Sequence, residues 1–316
     1  ICRFESKTLF MLSGNQRGIL FILIGMTISS VQDTLIKLLS DDLSIFQIQF
    51  FRSLVGIGVI ILFQITLRQP VIVTTAYPAL SLLRGIMFFG AYSLFYFAQS
   101  KIPIANATVL YLANPFFTTL IAILIFKSQV GFKHWLIIIF GFFGVVLIYQ
   151  PNTKVFNVYY LLPILVALLY SLIVTITKLT SNKDTLFQQL FYTYLVTVFL
   201  SGLLGLTVGD GRFDTAEYAQ IKFLVRGWQI FDLSAVVWLL TISVIGTTAH
   251  AFFLAAYRIG DPSVISPYEY TLLPWMILWG FVFWSEVPSF EVLIGMLLIV
   301  GSGLVLFYNE QAKNKK

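Results

Sequence analysis

Glu269 sits in SPYEYTLLPW (266–275), within an apolar stretch that runs on to Trp284. A carboxylate inside a membrane costs at least about 2.5–3.5 kcal/mol, so it faces protein or water, and two kinds of chemistry are open to it. It can hold a cationic or zwitterionic solute, with Tyr268, Tyr270 and Trp275 supplying aromatic faces. It can also take up and release a coupling proton. A salt bridge or hydrogen bond to a neighbouring helix is the structural alternative. Pro267 and Pro274 bracket the carboxylate, and each removes a backbone donor, leaving carbonyls available to a ligand or water.

Other polar residues lie in apolar surroundings. Asp33 and Lys37 are four residues apart, the spacing of an intrahelical ion pair, with Lys37 near enough to a helix end to snorkel and Asp33 deep enough to reach a cavity. Arg52 can pair with an acid or bind a substrate anion, whereas Arg84 reads as an interfacial anchor. Tyr111 and Asn114, with Asn106 upstream, either join helices by hydrogen bonds or line a cavity. His250 is a proton relay or a hydrogen-bonded core histidine. Gly141/Gly144 and Gly295/Gly301/Gly303 are spaced for close helix packing.

Enzymatic signatures are missing from the sequence. There is no P-loop, dinucleotide fingerprint, zincin motif or nucleophile elbow in a plausible context. Two histidines and one cysteine, Cys2, are too few for a His-based metal site, a disulfide framework or a thiol cluster. No cofactor and no catalytic residue are expected; a membrane-embedded enzyme or a channel is the reading from a different class.

The elements that must position these residues are membrane helices. The chain is 58% hydrophobic and 11% charged, with 31 Phe and a mean hydropathy of +0.89. Its continuous apolar runs suit helices rather than the short alternating segments of a membrane barrel. At roughly 20 residues per crossing, they predict ten spans: 17–39, 45–66, 81–100, 104–126, 133–149, 157–177, 186–208, 234–257, 262–284 and 289–308.

Charge sets the expected orientation. Thirteen Lys and Arg residues fall on the N-terminal side of the membrane and five on the other, which puts both termini in the cytoplasm. Topology therefore explains the formal charge of +6, and no nucleic acid is expected as a partner. Outside the spans, residues 1–16 and the basic tail 309–316 are expected in the cytoplasm, and the longest connection, about 209–233, is expected outside and reads as a solvated cap or a lid. Met11 reads as a natural start with residues 1–10 upstream of it, and no cleavable signal peptide is evident.

The two halves resemble each other. Lys37-Leu-Leu-Ser…Phe46-Gln47…Phe50 matches Lys178-Leu-Thr-Ser…Phe187-Gln188…Phe191, 141 positions on. Ala98…Lys101…Tyr111…Phe126 matches Ala255…Arg258…Tyr268…Phe283, 157 positions on, the difference falling where the long loop lies. Five spans per repeat, over 17–150 and 151–308, force opposite orientations, the arrangement that alternating-access transporters build around a midplane site. In this frame Leu112 stands where the second half has Glu269, so the carboxylate makes the centre asymmetric.

QIQFFRSL (47–54), LRGIMFFGAYSLFYFAQSKIPIANATVLYLANPFFTTLIAILIF (83–126) and YRIGDPSVISPYEYTLLPWMILWGFVFWSEVPS (257–289) resemble the EamA branch of the drug/metabolite transporter superfamily, ten-helix bacterial type. The resemblance covers residues 17 to 308. It implies an all-α integral membrane protein with ten transmembrane helices in two inverted five-helix repeats and a central cavity lined largely by the first, third, fourth, sixth, eighth and ninth spans. It implies secondary transport of a small organic metabolite across the inner membrane, coupled to protons or another ion, and leaves a homodimer open. Among relatives the pattern is similar to carriers of S-adenosylmethionine, riboflavin or amino-acid-like solutes. Glu269 among aromatics favours a cationic or zwitterionic cargo; a riboflavin-type or organic-anion carrier is the alternative within the fold.

Overall fold

The structure, a computed structural model, describes residues 13–127, 131–149, 158–229 and 233–287 and nine separate residues beyond 289. The described residues form helices joined by turns and loops, with no strand among them. The helices are α1 Gly14–Leu39, α2 Ile45–Thr66, α3 Pro78–Gln99, α4 Ile104–Tyr111, α5 Asn114–Phe126, α6 Phe132–Tyr149, α7 Leu161–Thr180, α8 Leu186–Val208, α9 Leu233–Ile259 and α10 Leu272–Trp284. Seven described segments are long and apolar enough to cross a membrane. The span expected at 289–308 lies largely outside the described residues, so a count of ten crossings is not established.

Local signals fix several helix ends. Ser13 with Gln16 and Thr185 with Gln188 form capping boxes that start α1 and α8. The spans expected at 104–126 and 262–284 are not continuous. The first breaks at Leu112–Ala113 between α4 and α5, and the second runs as a helical turn, Pro262–Ile265, a 3-10 segment, Ser266–Thr271, and then α10. A proline follows each break: Pro115 cannot bond the Tyr111 carbonyl, nor Pro274 the Tyr270 carbonyl. Both spans end on a left-handed residue, Lys127 and Ser285, each at φ 54°.

Helix packing follows the exchange that an inverted repeat requires. Taking α1, α2 and α3 as equivalents of α7, α8 and α9, the pair α1–α9 maps onto α7–α3, α3–α8 onto α9–α2, and α2–α8 onto itself; all are packed pairs. The broken spans cross in the same way, α4 against α10 and α5 against Pro262–Ile265 and Ser266–Thr271. The loops exchange as well. Gln47 on α2 donates to the Gln229 carbonyl at 2.7 Å and accepts from its amide at 3.1 Å, while Gln188, its repeat partner, reaches the Thr74 carbonyl. Arg226 in the long loop donates to the Ser40 carbonyl at 2.9 Å, and Asp184 accepts from the Ala76 amide at 2.9 Å. The segment 209–229 is thus fastened to the α1–α2 connection rather than simply solvated.

The outer surface is strongly apolar: Leu206, Leu124, Phe199 and Leu62 are 85%, 70%, 69% and 65% exposed. Buried polar residues run through the interior. That is the distribution of a multi-pass membrane protein, whose outer face meets lipid and whose polar groups turn inward.

Candidate functional site

A cavity of about 140 Å³ opens between the two halves. Its walls come from α1 (Met26, Ser29, Gln32, Asp33), α2 (Arg52), α3 (Phe88, Ala91, Tyr92, Phe95, Tyr96), Tyr111 at the end of α4, α7 (Tyr170, Thr177), α9 (Gly246, His250, Phe253, Tyr257) and Leu272 at the start of α10, with further apolar residues of α7 and α9.

One side carries a connected polar group. Arg52, 3% exposed, donates through Nε and Nη2 to Gln32 Oε1 at 3.2 and 3.1 Å. Gln32 Nε2 donates in turn to the Tyr96 hydroxyl at 2.9 Å and to Asp33 Oδ1 at 3.3 Å, and Tyr96 donates to Asp33. A cation and a carboxylate therefore share the cavity wall with an amide between them and no direct ion pair. The guanidinium also lies over the Tyr92 ring at 4.8 Å and near Tyr194 and Phe88 at 5.7 and 5.9 Å. His250 stacks on Phe88 with centroids 4.7 Å apart and shares a 3.2 Å hydrogen bond with Tyr194 through Nδ1.

Glu269 occupies a second polar centre. It is fully buried in the 3-10 segment, and its carboxylate accepts from Asn114 Nδ2 at 2.6 Å, from the Tyr111 hydroxyl at 3.2 Å, and from the Tyr257 hydroxyl. Tyr170 packs against both phenols, its ring 5.6 Å from Tyr111 and 6.4 Å from Tyr257. Among the described residues no Lys, Arg or His forms an ion pair with Glu269. Its partners are hydrogen-bond donors on neighbouring spans, and the rings of Tyr111, Tyr170 and Tyr257, not Glu269 itself, line the cavity.

Several sequence expectations need correcting. Asp33 and Lys37 do not pair: Lys37 reaches past α1 to Glu286 at 3.2 Å and lies 4.4 Å from the Trp284 ring. A lysine one turn from the helix end finds a fixed partner there, and Asp33 turns inward to Tyr96 and Gln32. Arg84 is no interfacial anchor. It is 1% exposed and donates to the Gln189 carbonyl at 2.8 Å and to the hydroxyls of Thr193 and Thr180 at 3.3 and 3.4 Å, joining α3 to α7 and α8. Tyr268 and Tyr270 are buried and Trp275 partly so, but none lines the cavity. The aromatic partners of Glu269 come from other spans.

The structure thus brings Glu269, Tyr111 and Asn114 together and puts Asp33, Arg52 and His250 on the same cavity. Gln32, Tyr92, Tyr96, Tyr170, Tyr194 and Tyr257 were not singled out in the sequence. Tyr92 and Tyr96 are four residues apart on one helical face, a readable signal; the others look like ordinary members of apolar helices until their neighbours are known. Among the described residues no group of three or more His, Cys, Asp or Glu converges as a metal site.

Comparison with known proteins places the first half. Residues 16–150 match the EamA-like transporter family. The matched stretch supplies Gln32, Asp33, Arg52, Tyr96, Tyr111 and Asn114; the second half supplies Tyr170, His250, Tyr257 and Glu269. Similarity to relatives extends beyond the matched stretch to nearly the whole chain. An S-adenosylmethionine uptake transporter of Rickettsia prowazekii is 25% identical over 93% of this chain and 93% of its own. A pseudopaline exporter of Pseudomonas aeruginosa is 25% identical over 92% and 95%, and a riboflavin transporter of Brucella anthropi is 26% identical over 69% and 72%. A solved crystal structure superposes on 92% of this chain and 95% of its own with a TM-score of 0.66 at 16% identity, which establishes the fold.

Proposed function

We propose that this protein is a secondary carrier of small organic metabolites that works by alternating access, and that its cargo is a zwitterion. The single observation that carries the cargo assignment is the cavity wall on which Arg52 and Asp33 stand side by side, held apart by Gln32. A guanidinium suits a carboxylate in a bidentate fork. A carboxylate suits an ammonium or sulfonium, and the rings of Phe88, Tyr92, Phe95 and Phe253 suit a planar or apolar remainder. S-adenosylmethionine, named for the Rickettsia relatives, has this combination: an amino-acid end, a sulfonium and an adenine.

The rocking units are the repeats at 17–150 and 151–308, supported by the exchanged helix pairs. The setting is the inner membrane with both termini cytoplasmic, supported by the distribution of Lys and Arg. Transport rather than catalysis is favoured by the EamA match and the carrier relatives.

Thermal stability of the purified protein tests the cargo. The panel is S-adenosylmethionine and methionine as zwitterions, choline as a cation, succinate as an anion, and riboflavin. A ligand at a hundred times its Kd stabilises by about 2.7 kcal/mol. Zwitterions are expected to raise the melting temperature of the native protein and to lose that effect in Arg52→Gln and in Asp33→Asn. Stabilisation by riboflavin or succinate without the zwitterions would favour the alternative cargo and sink this reading.

A further inference from the structure

We infer that Glu269 is a proton-binding site distinct from the cargo site, separated from it by Tyr111, Tyr170 and Tyr257. As the coupling site of a carrier it rests on the function proposed above; as a site of proton exchange it does not.

The two membrane carboxylates have different surroundings. Asp33 lines the cavity and has the Arg52 guanidinium joined to it through Gln32. Glu269 is fully buried, lines no part of that cavity, and among the described residues is met only by neutral groups. From α4 comes the Tyr111 phenol, from α5 the Asn114 amide, from α7 the Tyr170 phenol and from α9 the Tyr257 phenol. Tyr268 and Tyr270 flank it on its own segment, and α1, which packs on that segment, presents no charged group to it. A lone charge in the membrane interior is expensive, and the neutral acid avoids that cost.

Asn114 allows for both forms. Its Nδ2 donates to the carboxylate, whereas its Oδ1 is buried without a hydrogen-bond partner. A half turn of the amide would present Oδ1 to accept from a protonated carboxyl, and phenol hydroxyls can likewise donate or accept. The Glu269 pocket therefore has donors for the ionised acid and a ready acceptor for the neutral one.

Backbone geometry supplies a way to change exposure. Glu269 lies in a 3-10 segment that packs against α5 just beyond the Leu112–Ala113 break. Relative movement of the two broken spans would alter the grip of Asn114 and Tyr111 on the acid. In one state a proton passes from cavity water through a phenol hydroxyl to the Glu269 carboxylate. In the other it leaves the neutral carboxyl for water on the opposite side, and no bond other than O–H changes.

Infrared difference spectroscopy of the full-length protein in lipid, stepped in pH without cargo, tests this directly. A protonated-carboxyl C=O band that rises and falls with pH is expected in the native protein, absent in Glu269→Gln, and retained in Asp33→Asn. Asn114→Leu is expected to shift the band without removing it, which separates proton binding from collapse of the fold. Identical pH difference spectra for native protein and Glu269→Gln would overturn the inference, as would displacement of the band by sodium at constant pH. Because no cargo is present, a wrong cargo assignment leaves this result unaffected.

Discussion

A methyl group at Gly246 would strike the Arg52–Gln32 contact. A Cβ there falls against Gln32 Oε1 and 2.8 Å from Arg52 Nε, closer than side chains tolerate. To make room, Gln32 must turn away, loosening the 3.2 and 3.1 Å bonds from Arg52 and the 2.9 Å bond to Tyr96. Overpacking costs about 1–3 kcal/mol, and hydrogen bonds to a charged group contribute about 1.5–3 kcal/mol. The clash and the lost bonds are alternatives, since relieving one incurs the other, so the expected destabilisation is about 2 kcal/mol. At about 2 °C per kcal/mol for a chain of this size, Gly246→Ala should melt about 4 °C below the native protein. Gly58→Ala is the control, because a Cβ there meets nothing within 4 Å, and it should melt no lower than the native protein. In a Gln32→Ser background the Gln32 clash is gone and Arg52, released from Gln32, can shift away from the new Cβ, so Gly246→Ala should cost less than in the native protein. A native-like melting temperature for Gly246→Ala, or strict additivity with Gln32→Ser, would refute the reasoning.

Two further perturbations probe the helix contacts. Arg84→Lys gives up the fork that reaches Gln189, Thr193 and Thr180 and is expected to cost about 1–3 kcal/mol, seen as a lower melting temperature. Lys37→Met and Glu286→Gln each break a half-buried pair and should cost about 0.5–1 kcal/mol. The double variant should be no less stable than the weaker single one in a melting-temperature cycle.

The helical spans were legible in sequence because apolar runs of membrane length have few other uses. The contact between the fourth and ninth spans had a cue in the internal similarity, in which Tyr111 and Tyr268 stand at the same position. The partners of the polar residues were not. Lys37 is four residues from Asp33, yet its partner is Glu286, nearly the length of the chain away; local spacing shows which groups can meet and says nothing of a better partner on another helix. For the same reason Tyr268, Tyr270 and Trp275 were natural candidates beside Glu269, although a residue next in sequence on a tight 3-10 turn points away from its neighbour. Arg84, close to a predicted helix end, reads as a surface residue until α7 and α8 are packed over it.

The central claim, a carrier that exchanges a zwitterion through one alternating cavity, is tested most directly by counterflow in proteoliposomes. Vesicles holding the purified protein are preloaded with unlabelled S-adenosylmethionine, and entry of the labelled compound is followed with no ion gradient. The expected result is saturable uptake that is accelerated by the internal load and abolished by Arg52→Gln. Flux that neither saturates nor responds to the load, or single-channel currents through the protein, would contradict it.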